Sequence, residues 1–209
     1  MHISRFGRGV LRTLCAWFAA SLICADHSVA GSKTVTTLHS FCALNNCADG
    51  QVPLSSVVMD GAGNLYGTAN NGGDFNNNAG TVYRLVHNDS GGWDFSVIHT
   101  FCSEDQSCPD GVVPEGKLVA DMSGNLYGTT YAGGRFGRGV VFELLPNSKK
   151  TNWKLKVLYD FCTLQQCVDG RSPGFSLTYP GASSGAIYDG ASPLYGQTQF
   201  GGDSNHGAL

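Results

Sequence analysis

Charge is scarce in this sequence: only 14% of its 209 residues are Asp, Glu, Lys or Arg, against about 25% in an average soluble domain. That shortage excludes a charge-rich disordered chain and a long charged coiled coil. No basic cluster is larger than Lys149, Lys150, Lys154 and Lys156, which lie around an expected turn and an exposed strand face. They read as a solvated edge that discourages strand-to-strand aggregation, and binding to nucleic acid is not expected. No apolar run approaches the roughly 20 residues that a spanning helix needs. The zinc-protease spacing His-Glu-x-x-His is absent as well. The residues assign no catalytic group, no cofactor and no metal.

What the sequence has in quantity is glycine, with 29 residues, together with aromatic and β-branched side chains. This composition favours a turn-rich β architecture. The first thirty residues stand apart. Arg5, Arg8 and Arg12 precede the apolar stretch Leu14 to Ile23, and Ser28-Val29-Ala30 offers small residues before a cleavage point after Ala30. That is the layout of a secretory signal peptide, so the expectation is an exported chain, secreted or at the cell surface, with no membrane span after cleavage. Removing residues 1–30 leaves ten basic and fifteen acidic side chains, a net charge of −5.

Self-comparison of residues 31–209 shows three copies of one unit, at about 34–93, 94–152 and 153–209. Phe41-Cys42, Phe101-Cys102 and Phe161-Cys162 recur at spacings of 60 and 60. Asp49-Gly50, Asp110-Gly111 and Asp169-Gly170 follow. Next come Gly63-Asn64-Leu65-Tyr66-Gly67-Thr68, its match Gly124-Asn125-Leu126-Tyr127-Gly128-Thr129, and the looser Pro193-Leu194-Tyr195-Gly196-Gln197-Thr198. Double glycines close each set at Gly72-Gly73, Gly133-Gly134 and Gly201-Gly202.

Apolar residues alternate with period two, as in Trp153, Leu155, Val157, Tyr159 and Phe161, and in Trp93, Phe95, Val97, His99 and Phe101. Further strands are expected at 55–60, 64–69 and 80–86, and at 117–121, 125–130 and 139–145. Asp60-Gly61-Ala62-Gly63-Asn64 and Asp121-Met122-Ser123-Gly124-Asn125 read as tight hairpins with a capping carboxylate. Four short antiparallel strands per unit predict an all-β, β-propeller-like array, with a linear β-array as the alternative. The third copy stops where its last strand should begin, so an incomplete array, an exposed sheet edge and self-association through it are expected.

The order Phe-Cys, Asp-Gly, Asp-x-x-Gly-Asn-Leu-Tyr-Gly-Thr, Gly-Gly and Gly-x-Val-Phe-x-Leu resembles the tandem GloVer repeats, of the choice-of-anchor type, of exported bacterial proteins. The last element stands as Gly139-Val140-Val141-Phe142-Glu143-Leu144 and as Gly80-Thr81-Val82-Tyr83-Arg84-Leu85. The resemblance implies propeller-like blades in secreted or surface-anchored proteins, and it carries over no catalytic residue.

Six cysteines follow the signal, two per copy: Cys42 with Cys47, Cys102 with Cys108, and Cys162 with Cys167. Duplication of one local pair makes within-copy disulfides the simplest pattern, and export to an oxidising compartment agrees with it. The alternative, zinc held where two pairs converge, leaves one pair over.

His39 and His99 suggest a general base, but the third copy places Tyr159 there, which reads as a packing position with a polar tip. Asp60 and Asp121, beside Asn64 and Asn125, faintly resemble a calcium loop, yet the hairpin explains them without metal. Asn70, Asn71, Asp74, Arg135 and Asp203 lie on or beside the double-glycine loops and are the candidate rim contacts for a ligand. The favoured function is a non-catalytic binding or structural module for an extracellular protein or glycan. The alternative is a polysaccharide-active hydrolase or lyase in which carboxylates such as Asp74, Asp110 and Asp203 meet across a cleft.

Overall fold

The structure is a computed structural model and describes residues 2–4, 34–73 and 78–209. The chain divides into two compact units, 1–39 and 40–209. In the first, β1 (His2–Ser4) pairs antiparallel with β2 (Thr34–Thr36), setting Ile3 opposite Val35. The rest of the expected export signal lies outside the described residues. No helix among the described residues is long and apolar enough to cross a membrane.

The second unit is all-β. Its first sheet is an antiparallel meander of β3 (Val58–Met59), β4 (Leu65–Ala69), β5 (Thr81–His87) and β6 (Trp93–Thr100), in that order. The second sheet comprises β7 (Val112–Pro114), β8 (Val119–Ala120), β9 (Leu126–Ala132), β10 (Val140–Pro146) and β11 (Trp153–Asp160). Here β7 and β8 both pair with the same side of β9, so one edge is interrupted at 115–118. The expected first strand of each copy is therefore shorter than its sequence pattern. After β11 the described residues of the third copy form two bridges within the copy, Arg171 with Phe200 and Thr178 with Tyr195, and one to the second copy, Tyr188 with Asp121. The first two repeat the pairings of Val112 with Ala132 and Val58 with Tyr66.

Local chemistry explains the recurring strings. Asp60 accepts from the backbone N–H groups of Ala62 and Asn64, from the Asn64 amide and from the Tyr66 hydroxyl at 2.9–3.0 Å. Asp121 does the same for Asn125 and Tyr127. The Asp, Asn and Tyr of each string thus form one capped hairpin. The glycine inside Leu-Tyr-Gly-Thr has a different cause: a Cβ on Gly128 would come within 2.6 Å of the Phe142 ring, and one on Gly67 would strike Tyr83. A bulge recurs at the same place in both sheets, between Val82 and Tyr83 and between Val141 and Phe142.

The two sheets pack face to face. Tyr66 and Val82 of the first meet Leu118, Leu126, Phe142 and Leu144 of the second, with Trp153 at the margin. The Phe101 and Phe142 rings meet edge to face at 5.3 Å, and Tyr66 meets Trp153 at 5.8 Å. A smaller cluster of Val119, Tyr127 and Tyr188, flanked by Leu177, Tyr179 and Leu194, joins the second sheet to the third copy. The sequence period and the sheets are offset. Strand β6 belongs to the first sheet, yet it leads straight into Phe101, whose ring packs in the next copy.

Candidate functional site

The cysteine segments build scaffold rather than a reactive centre. Disulfides join Cys42 to Cys47, Cys102 to Cys108 and Cys162 to Cys167, with Cα atoms 4.0, 4.4 and 4.1 Å apart. Each tight loop is closed by the aspartate of the following Asp-Gly. Asp49 accepts from the N–H groups of Ala43 and Leu44, Asp110 from that of Cys102, and Asp169 from those of Thr163 and Leu164. The double glycines lock the same loops. The N–H groups of Gly73, Gly134 and Gly202 donate to the carbonyls of Cys47, Cys108 and Cys167 at 2.9–3.1 Å. His99 Nε2 lies 2.9 Å from Asp110 and the Tyr159 hydroxyl donates to Asp169 over 2.7 Å, so the polar tips at this position also serve the loop. Burial raises the pKa of Asp169, but hydrogen bonds from Tyr159, Thr163 and Leu164 outweigh it and hold the carboxylate at about 2.

A cleft of about 690 Å³ opens where equivalent edge segments of the three copies meet, lined by Val58 and Met59, by Leu118 and Val119, and by Leu177 and Tyr179. At its hairpin end Lys150 Nζ donates to Asp60 over 3.1 Å and the Arg84 guanidinium donates to the Lys150 carbonyl over 2.7 Å. Burial works against ionisation of Asp60, but its bonds from Asn64, Lys150 and Tyr66 prevail and hold it at about 2. Its oxygens are occupied by protein donors. Among the described residues no group of three or more His, Cys, Asp or Glu side chains is placed to hold a metal.

At the opposite end of the second strand of each copy, polar side chains gather. The Asn70 amide faces Glu115 at 3.4 Å, and Asn70 is 4% exposed with its Oδ1 buried and without a protein partner. A Cβ on Gly174 would meet Glu115 Oε2 at 2.7 Å, Gln199 Nε2 at 2.9 Å and the Tyr131 ring at 3.6 Å. Gly174, having no side chain, leaves room for these side-chain ends. Burial raises the pKa of Glu115.

A family model described as the Gloeobacter/Verrucomicrobia repeat matches residues 27–209. The chain belongs to this repeat family. No curated protein and no solved structure matches it. In this Gloeobacter/Verrucomicrobia repeat protein the rim candidates are scattered. Asn70 sits in the polar cluster, whereas Asn71 is held in a bridge with Gln51. Arg135 donates its backbone N–H to Asp160 at 2.7 Å and extends its guanidinium over Phe136. Asp203 is exposed, and Asp74 lies outside the described residues. Among the described residues no contact joins Arg135 or Asp203 to the cluster.

The sequence reading passes over Glu115, Tyr131 and Gln199. Copy alignment carries the signal for two of them. Asn70, Tyr131 and Gln199 share one repeat position, directly after a small residue (Ala69, Thr130, Thr198) and two residues before the constant double glycine. Two strings with catalytic spacing also escape that reading. Gly181-Ala182-Ser183-Ser184-Gly185 has the Gly-x-Ser-x-Gly spacing, but it forms an exposed 3₁₀ turn in which Ser184 Oγ donates to the Gly181 carbonyl. It lacks the strand-to-helix elbow that exposes a nucleophile. Gly111 to Lys117 has the spacing of a phosphate loop, but Leu118 stands where Ser or Thr is required and no helix follows.

Proposed function

We propose that the protein is an exported, non-catalytic binding module whose ligand is an extracellular glycan held at the polar cluster of Asn70, Glu115, Tyr131 and Gln199. The observation that carries this reading is variation on a constant frame. Turn aspartates, glycines and disulfide loops repeat from copy to copy, while one inner position changes from Asn to Tyr to Gln and gathers beside Glu115. A carboxyl group, two amides and an aromatic ring suit a ligand with both hydroxyl groups and an apolar ring face. The disulfides accord with an oxidising compartment outside the cytoplasm, and propeller-like stacking about the cleft accords with the equivalent segments of three copies that line it.

The test is a glycan array, followed by calorimetry on any hit, comparing the intact protein with Glu115→Ala and Gln199→Ala. Binding that falls at least tenfold in both variants supports the site. Absence of binding by the intact protein, or binding unchanged in both variants, overturns it.

A further inference from the structure

The cluster around Glu115 holds an unpaired negative charge and an unpaired buried acceptor. Glu115 is partly buried, and no ion pair among the described residues involves it. The bond that it accepts from the Asn70 amide is 3.4 Å long, beyond the range of a strong hydrogen bond. Asn70 is 4% exposed, and its Oδ1 is buried without a protein donor. Folded proteins rarely leave such a group unsatisfied.

The carboxylate is not required by the repeat. The residue after the recurrent proline is Leu54 in the first copy, Glu115 in the second and Gly174 in the third. The same turn therefore forms around a leucine and a glycine. A carboxylate drawn partly out of water without a counter-ion is unfavourable for the fold, and neither the hairpins nor the disulfide loops use it. Burial, with no opposing charge, raises its pKa.

All three copies contribute to its surroundings. Asn70 comes from the first, Tyr131 and Glu115 from the second, and Gly174 and Gln199 from the third. A Cβ on Gly174 would lie 2.7 Å from Glu115 Oε2, 2.9 Å from Gln199 Nε2 and 3.6 Å from the Tyr131 ring, so carboxylate, amide and ring border the space that this glycine leaves. A carboxylate, an amide oxygen and an aromatic face each attract a cation. Sugar hydroxyl groups supply donors but no charge. A protonated primary amine supplies three N–H donors and a full positive charge.

We propose that the glycan bound at this cluster carries a free primary amine, as a deacetylated amino sugar does, and that its ammonium group sits against Glu115, Asn70 Oδ1 and the Tyr131 ring. This specificity rests on the glycan reading of the same cluster.

The experiment is calorimetry of the intact protein with a glucosamine tetramer and with its fully N-acetylated counterpart, at low and high salt, in a mildly acidic buffer that keeps the sugar amine protonated. Glu115→Gln removes the charge, and Glu104→Gln on the exposed disulfide loop is the control. The expected result is binding of the deacetylated tetramer at least tenfold tighter than that of the acetylated one. The preference should shrink with salt, vanish in Glu115→Gln and persist in Glu104→Gln, with circular dichroism alike in all three proteins. Equal binding of the two tetramers, or tighter binding of the acetylated one, overturns the amine specificity and leaves the glycan reading standing. Binding of neither tetramer also overturns it, and the glycan array then decides the broader reading by itself. A preference that survives Glu115→Gln, or is lost equally in Glu104→Gln, overturns the assignment to this cluster.

Discussion

His99 Nε2 lies 2.9 Å from Asp110, and this contact ties the end of the first sheet to the disulfide loop of the second copy. One copy later Tyr159 and Asp169 make the same connection. The pair reads as scaffold, because imidazole and phenol share only a hydrogen-bonding tip on a flat ring. His99→Tyr should therefore leave stability nearly unchanged, and His99→Phe, which keeps the ring and loses the tip, should cost about 1 kcal/mol. Urea denaturation of both variants checks this; a larger loss in His99→Tyr than in His99→Phe would contradict it.

Equivalent positions in the first two copies differ in what covers them. Leu118 is enclosed by the first sheet, and Val57 is open. Leu118→Ala should destabilise the protein by about 2–5 kcal/mol, the range for large-to-small core changes, while Val57→Ala should fall within about 0.5 kcal/mol of wild type. Thermal melts of the two single variants measure the contrast.

The disulfides should be local and independent. Non-reducing mass spectrometry should find the protein six hydrogens lighter than its reduced form, with each bond in a separate peptide. Replacing one pair by serine should cost roughly 2 kcal/mol under the chain-entropy model for so short a loop. Free thiols, or bonds between copies, would refute the arrangement.

Acid should weaken the fold over a defined window. Asp60 and Asp169 have folded values near 2, below the ordinary 3.8, so between those values the unfolded chain binds more protons. Stability rises with pH there. The contribution is complete above about pH 5 and is lost as pH falls toward about 2. Urea midpoints should therefore drop between about pH 5 and about pH 2.5, and by less in Asp60→Asn, which has no carboxylate to protonate.

Gly128 tests the close approach inside the second sheet. Gly128→Ala forces a methyl group against Phe142 and Leu118 and should cost about 1–3 kcal/mol through overpacking. Gly61→Ala, where the added group meets nothing within 4 Å, should cost far less. Differential scanning calorimetry of the two separates a packing effect from a general intolerance of glycine replacement.

The sequence alone determined the repeat, the strand periodicity, the hairpins and the cysteine pairs. Each of these rests on residues close together in the chain: period-two alternation in Trp153 to Phe161, Asp60 capping Asn64, Cys42 reaching Cys47. Tertiary structure decided what lies between copies. Glu115 meets Asn70, and Gly174 makes room for Gln199, across separations that no local pattern encodes. The left-handed turns at Val52, Val113 and Ser172 belong to the same class, since residues other than glycine rarely adopt that conformation. The hydrogen bonds that the Val113 and Ser172 N–H groups donate to the Ala79 and Arg138 carbonyls, made only when copies stack, hold it at those two positions.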